Sequence, residues 1–169
     1  EYTVFRPEGH DVWRRFRTTI DNYASSHPGR DLMIVAEAYA VRRPELVKAF
    51  TEPDQFHQVF SFDLMLTPWE KHSIEQALLD PIGILAETGV PPAWTLNNHD
   101  IQRIVTRLGR ADAHLSEMWT NNNLALSRAA VDLALGERRA RAMTALIFAL
   151  PGSLYLYQGE ELGLPEVID

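Results

Sequence analysis

The chain has 169 residues, 46% of them hydrophobic and 9% aromatic, which is the size of one domain and enough apolar material for a core. Its formal net charge of -7, from 16 basic and 23 acidic residues, argues against a nucleic-acid backbone or an anionic membrane surface as the main partner. With no cysteine, disulfides, thiolate zinc sites and cysteine nucleophiles are excluded, and no apolar run is long enough to span a bilayer. The opening EYTVFRPEGH carries neither an initiator Met nor a signal-peptide pattern, so the sequence is expected to be a piece of a longer protein.

In chain order, residues 9–26 place Val12, Trp13, Phe16, Ile20 and Tyr23 on one helical face, and HPGR ends that helix. The branched apolar run at 32–39 predicts a buried strand, 44–50 a short helix, and 56–62 (FHQVFSF) a second strand. Residues 70–87 predict a longer helix carrying Ile74, Leu78, Ile82 and Leu85. Asp80-Pro81 inside it reads as an N-cap with Pro in the first turn, so two helical pieces are expected. AWTL at 93–96 predicts the third strand. Residues 124–150 predict a helix broken at Gly136, and SLYLY at 153–157 the fourth strand.

Strand and helix alternating in this way is the sequence form of a parallel α/β sheet. No Gly-rich phosphate fingerprint follows any strand. The pattern alone does not choose between a barrel and an open sheet. Polar residues nevertheless gather after the apolar runs: Glu37 after the first, Asp63 after the second, His99-Asp100 after the third and Gln158 to Glu161 after the fourth. In parallel α/β folds those carboxyl ends share one face, where barrel enzymes build their sites.

Glu37 sits among apolar neighbours in VAEAY, where desolvation favours a neutral carboxyl, the form a general acid needs. Asp100 follows amides and an imidazole in WTLNNHD, groups that favour the ionised form. Two carboxyl groups held in opposite protonation states are suited to cleaving a glycosidic bond. Plainer readings stand beside this one: Glu37 as a solvated or ion-paired residue, and His99-Asp100 as a polar loop with a helix-capping Asp. No second His stands at ligand spacing from His99, so no metal is expected.

VAEAY, TLNNHD and FALPGSLYLYQGEELGLPEV, in that order and each at a predicted strand, together resemble the third and fourth signature regions and the eighth barrel strand of glycoside hydrolase family 13, the α-amylase family. With HDVWRRFR, FSFD and NHDIQR, the pattern is most similar to the α-glucosidase and oligo-1,6-glucosidase branch. The resemblance implies the C-terminal half of a (β/α)8 barrel, strands five to eight, cut at both ends. It implies a retaining α-glucosidase acting on short α-linked gluco-oligosaccharides by double displacement. A transglycosylating or isomerising relative of trehalose synthase or sucrose phosphorylase type is the alternative, and a non-catalytic family member is a third reading.

On the same resemblance, Glu37 is the general acid/base, Asp100 the carboxylate that stabilises the transition state, and His99 a hydrogen-bond partner of the same glucose unit. Phe60 and Phe62 either wall the sugar pocket or belong to the barrel core. Arg103 either braces the carboxylates or lies on a helix surface. No cofactor is implied. The implied partners are an oligosaccharide and the N-terminal half of the barrel, with neither nucleic acid nor membrane, in the cytoplasm. Two departures stand out. Ala36 and Tyr39 differ from many relatives around the acid, and nothing in residues 1–34 matches the segment carrying the family's nucleophilic Asp; Asp11, Asp21 and Asp31 fall in helix or turn contexts.

Overall fold

The computed structural model of the chain describes residues 6–114 and 129–167. Among the described residues ten elements follow one another: α1 (Pro7–Ser26), β1 (Val35–Ala36), α2 (Pro44–Phe50), β2 (Gln58–Ser61), α3 (Asp63–Leu66), α4 (Lys71–Thr88), β3 (Ala93–Thr95), α5 (Ile104–Gly109), α6 (Leu133–Phe148) and β4 (Ser153–Tyr155). The four strands form one parallel sheet in the order β1-β2-β3-β4. Each strand lies beside the next in sequence, with helix between, and the order never reverses. That is the arrangement of a (β/α) barrel wall and not of a doubly wound sheet, which contains a switch point.

Register assigns the side chains to two faces. Val35 pairs with Gln58, Phe60 with Ala93, and Ala93 with Ser153, so Gln58, Phe60 and Tyr155 share the face opposite the helices. Gln58 donates to Ser153 Oγ at 2.9 Å across that face, and Tyr155 meets Phe60 edge-on with ring centroids 4.7 Å apart. The other face packs outward. Trp94 and Leu96 join Leu64, Ala77, Ile104, Val105, Leu108, Ala140, Met143 and Ile147 beneath α4, α5 and α6. Ala36 and Val59 join Phe50, with Trp13 of α1 and Phe56 packed against them.

The paired strands are shorter than the apolar runs that announced them. Below Val35 the ladder is taken over by a side chain: His57 N donates to Ile34 O at 3.0 Å, while Ile34 N donates to the His57 imidazole at 3.1 Å. Burial and the nearby Arg17 charge hold that imidazole below its ordinary pKa, which favours the neutral ring that can accept this bond.

Three helix expectations are corrected. The expected break at Asp80-Pro81 is absent, and α4 runs through Pro81. Its buried residues Ala77, Pro81 and Ile84 stand at i, i+4 and i+7, one stripe against the sheet, and a break at residue 80 would divide that stripe. The helix is capped instead by Glu70, whose carboxylate accepts from His72 N and Ser73 N, and ends on Gly89 at φ 74°. Gly136 likewise interrupts nothing, because its lack of a side chain is used to let α6 press on α5. The helix containing it begins at Leu133, capped by Asp132, while residues 124–128 of the expected span lie outside the described residues. On α1 the expected apolar face is only lightly used: no residue is buried, and Phe16 and Tyr23 are exposed. Polar contacts tie α1 down, including Arg17 donating to Gln55 O at 2.9 Å and Arg14 paired with Asp54 at 3.0 Å. The short helices α3 and α5 were not anticipated. No helix among the described residues is long and apolar enough to cross a membrane.

Candidate active site

The apolar run of β3 ends in two amides, an imidazole and a carboxylate, and the structure gives these four residues different work. Asn97 is buried, and its Oδ1 accepts from Ile104 N at 2.7 Å while its carbonyl accepts from Thr95 Oγ1 at 2.8 Å. Asn98 Oδ1 accepts from Asp100 N at 3.0 Å, a local turn bond of the kind Asn readily makes. The amides therefore shape the loop. The residues this presents outward are His99 and Asp100, with side chains 66% and 46% exposed.

Beneath the loop lies Arg107, fully buried on α5, with Nη2 donating to Leu96 O at 2.6 Å. Burial lowers its pKa to about 10, and the Glu160 charge opposes that drop, so the guanidinium stays charged at neutral pH. A permanent cation bound to the carbonyl of the residue just after β3 fixes where the loop departs.

Glu37 stands just past β1, two strands away in the sheet. One ligand atom of each of Glu37, His99 and Asp100 lies within 4.8 Å of the other two. His99 Nε2 is 3.4 Å from Asp100 Oδ1. Three residues singled out in the sequence as candidates are thus brought to one place at the carboxyl ends of β1 and β3. Two carboxylates and an imidazole are also the donors that could hold a metal ion; their spacing along the chain gave no hint of this because Glu37 comes from a different loop than the adjacent His99 and Asp100. All three are exposed, and such groups are common without an ion.

Several expectations need correction here. Glu37 is exposed among the described residues, whereas its apolar neighbours in sequence suggested burial. Its flanking Ala36 points to the outer core and is buried there, since successive side chains on a strand face opposite ways. Phe62 is 2% exposed, covered by Tyr39 with ring centroids 5.0 Å apart and stacked on Phe60 at 5.6 Å, so among the described residues it packs as barrel core, one of the two readings given for it. Phe60 is half-buried between Phe62 and Tyr155. Arg103 does not brace the carboxylates: its Nη1 donates to Gln158 O at 2.7 Å, its guanidinium lies over the Tyr157 ring, and its backbone N donates to Glu166. It seats the loop that follows β4.

Tyr39 is the residue whose part in the site was missed. Its Oη donates to Asp100 Oδ2 at 2.9 Å. Burial, and then the bond to Asp100, push the phenol above its ordinary pKa, so it remains a donor at neutral pH. The signal was present in the sequence: Tyr39 is two residues beyond Glu37, which in an extended segment means the same side.

Residues 1–168 match the family described as Alpha amylase, catalytic domain. A human amino acid transporter heavy chain is 26% identical over 99% of this chain and 21% of its own length. A trehalose synthase/amylase from Mycolicibacterium smegmatis is 29% identical over 96% of this chain and 29% of its own. A glucan 1,6-alpha-glucosidase from Streptococcus pneumoniae is 25% identical over 80% of this chain and 24% of its own. Among solved structures, an alpha-glucosyl transfer enzyme superposes with a TM-score of 0.65 at 28% identity, covering 95% of this chain and 24% of that one. The chain thus spans under a third of the length of these relatives. A match along nearly its whole length, with four parallel strands in barrel order, means that this chain belongs to the α-amylase catalytic-domain family.

Proposed function

We propose that this chain is the part of a retaining α-glucosidase catalytic barrel that carries the general acid/base, and that the whole protein cleaves α-linked gluco-oligosaccharides by double displacement. The observation that carries the reading is the meeting of Glu37, His99 and Asp100 within 4.8 Å. In this reading Glu37 protonates the leaving oxygen and then activates the incoming water, while Asp100 and His99 grip hydroxyls of one glucose unit. Positive charge develops on the sugar ring at the transition state, so an ionised carboxylate at those hydroxyls lowers the barrier more than it tightens substrate binding. The nucleophile is assigned to a segment outside these 169 residues, because no Asp in residues 1–34 resembles it: Asp11 and Asp21 are surface ion pairs of α1 with Arg14 and Arg17. The compartment is proposed to be the cytoplasm.

A second reading is supported by the relatives whose names describe glucosyl transfer or trehalose synthesis. There the same site passes glucose to a sugar instead of water. The test is to incubate the full-length protein with maltose, isomaltose and an aryl α-glucoside and follow products by proton NMR. Glucose released first as the α-anomer supports hydrolysis with retention, new disaccharides at equal rate support transfer, and no turnover of any of them removes the enzymatic reading. That last result would align the chain with the transporter heavy chain among its relatives.

A further inference from the structure

We propose that Tyr39 is a positioning residue for Asp100: its phenol holds one carboxylate oxygen so that the other stays turned toward His99 and the bound sugar. The inference rests on the functional reading above. Tyr39 Oη donates to Asp100 Oδ2 at 2.9 Å, while Asp100 Oδ1 lies 3.4 Å from His99 Nε2. Asp100 is an exposed side chain on a loop, and nothing in its own rotamer choice fixes the plane of its carboxylate. Tyr39 supplies that restraint from a firm base. Its ring leans on Phe62, which is 2% exposed and stacked in turn on Phe60.

The choice of a phenol has an electrostatic consequence. Lys or Arg could hold Asp100 equally well, but would place a second positive charge beside a ring that itself becomes positive at the transition state. A neutral donor orients the carboxylate and leaves its charge for the sugar. A phenol keeps its proton across the neutral range, and partial burial raises the Tyr39 pKa further, so the restraint persists there.

The experiment uses the full-length protein and the variants Tyr39→Phe, Tyr39→Leu and Asp100→Asn, each checked for an unchanged thermal midpoint. Turnover of an aryl α-glucoside is measured beside calorimetric binding of glucose and of 1-deoxynojirimycin, a protonated piperidine of glucose shape. Loss of one hydrogen bond to a charged group predicts that Tyr39→Phe lowers kcat and weakens the iminosugar about 10- to 100-fold, while KM and glucose binding move about 3-fold or less. Tyr39→Leu should do the same. A packing role predicts instead that Tyr39→Phe behaves as wild type and only Tyr39→Leu is impaired. That pattern, with Asp100→Asn defective, overturns the positioning role. If Asp100→Asn changes neither turnover nor iminosugar binding, the functional reading itself fails and takes the inference with it.

Discussion

Gly136 of α6 lies so close to α5 that a Cβ built on it would stand 1.9 Å from Val105 O and 3.0 Å from Gly109 Cα. Those atoms are backbone, so no rotamer change relieves the clash. Replacing Gly136 with Ala must push the two helices apart and open the cluster of Val105, Leu108, Ala140 and Met143 between them. Overpacking of this kind costs roughly 1–3 kcal/mol, and the backbone obstruction places Gly136→Ala at or beyond the upper end. Gly83 in α4 is the internal control, since a Cβ there meets nothing within 4 Å. Gly83→Ala should stabilise by about 0.4–1 kcal/mol through the unfolded chain. Urea denaturation of the three proteins checks both signs. Equal effects from the two substitutions would contradict the close crossing.

The same pair of glycines shows what could be read from the sequence. The apolar runs announced four strands, because burial on both faces writes itself as a continuous hydrophobic stretch, while their barrel order was implied only by the family resemblance. A glycine, by contrast, looks alike whether it ends a helix or admits a neighbour, and only the packed partner at Val105 decides. Pro81 was misread for a related reason: local propensity spoke for a break, and a buried stripe spanning residues 77–84 overrode it. At the site, Glu37, His99 and Asp100 were legible from their places after strands. Tyr39 was seen only as a departure from relatives, since its hydrogen bond spans 61 residues.

Asp63 gives the fold a pH dependence. It is buried at the start of α3, and burial raises its pKa above the ordinary 3.8, with the charge of Asp80 adding and the bond from Arg42 N opposing. A carboxyl whose folded pKa is raised binds its proton more tightly in the native state. Its contribution to stability is therefore full below the unfolded pKa and is lost as pH rises through the folded one. Asparagine keeps an acceptor for Arg42 N and has no proton to lose. Asp63→Asn should thus gain in thermal midpoint over wild type as pH rises from about 4 to about 7, the interval above the ordinary carboxylate range. Midpoints that run parallel for the two proteins across that interval would exclude the assignment.

The acid role of Glu37 is tested by the substrate's leaving group. Removal of a general acid typically costs about 10²- to 10⁴-fold where the departing oxygen must be protonated. In the full-length protein, Glu37→Gln should therefore lose most of its kcat/KM toward maltose. Toward an aryl α-glucoside with a stable phenolate leaving group, the loss in the first step should be much smaller. Equal losses for both substrates would assign Glu37 to binding and leave proton transfer to another group.

The final expectation concerns the 169-residue chain produced alone. A retaining glycosidase needs a second carboxylate to attack the sugar from the face opposite the acid. Here Asp100 approaches Glu37 but is already engaged by Tyr39 and His99, and the proposed reading gives it the gripping of sugar hydroxyls and not the attack on the ring. Protonation of the leaving oxygen without a nucleophile forms no glycosyl-enzyme intermediate. Four strands also leave β1 and β4 each paired on one side only among the described residues, so backbone donors and acceptors at both edges remain available for pairing. The chain alone should therefore self-associate and turn over neither maltose nor an aryl α-glucoside above background, while the full-length protein does both. Sedimentation and a coupled glucose assay measure the two parts. Turnover by the isolated chain at the rate of the whole protein, abolished by Asp100→Asn, would make Asp100 the nucleophile and reverse the roles assigned to this site.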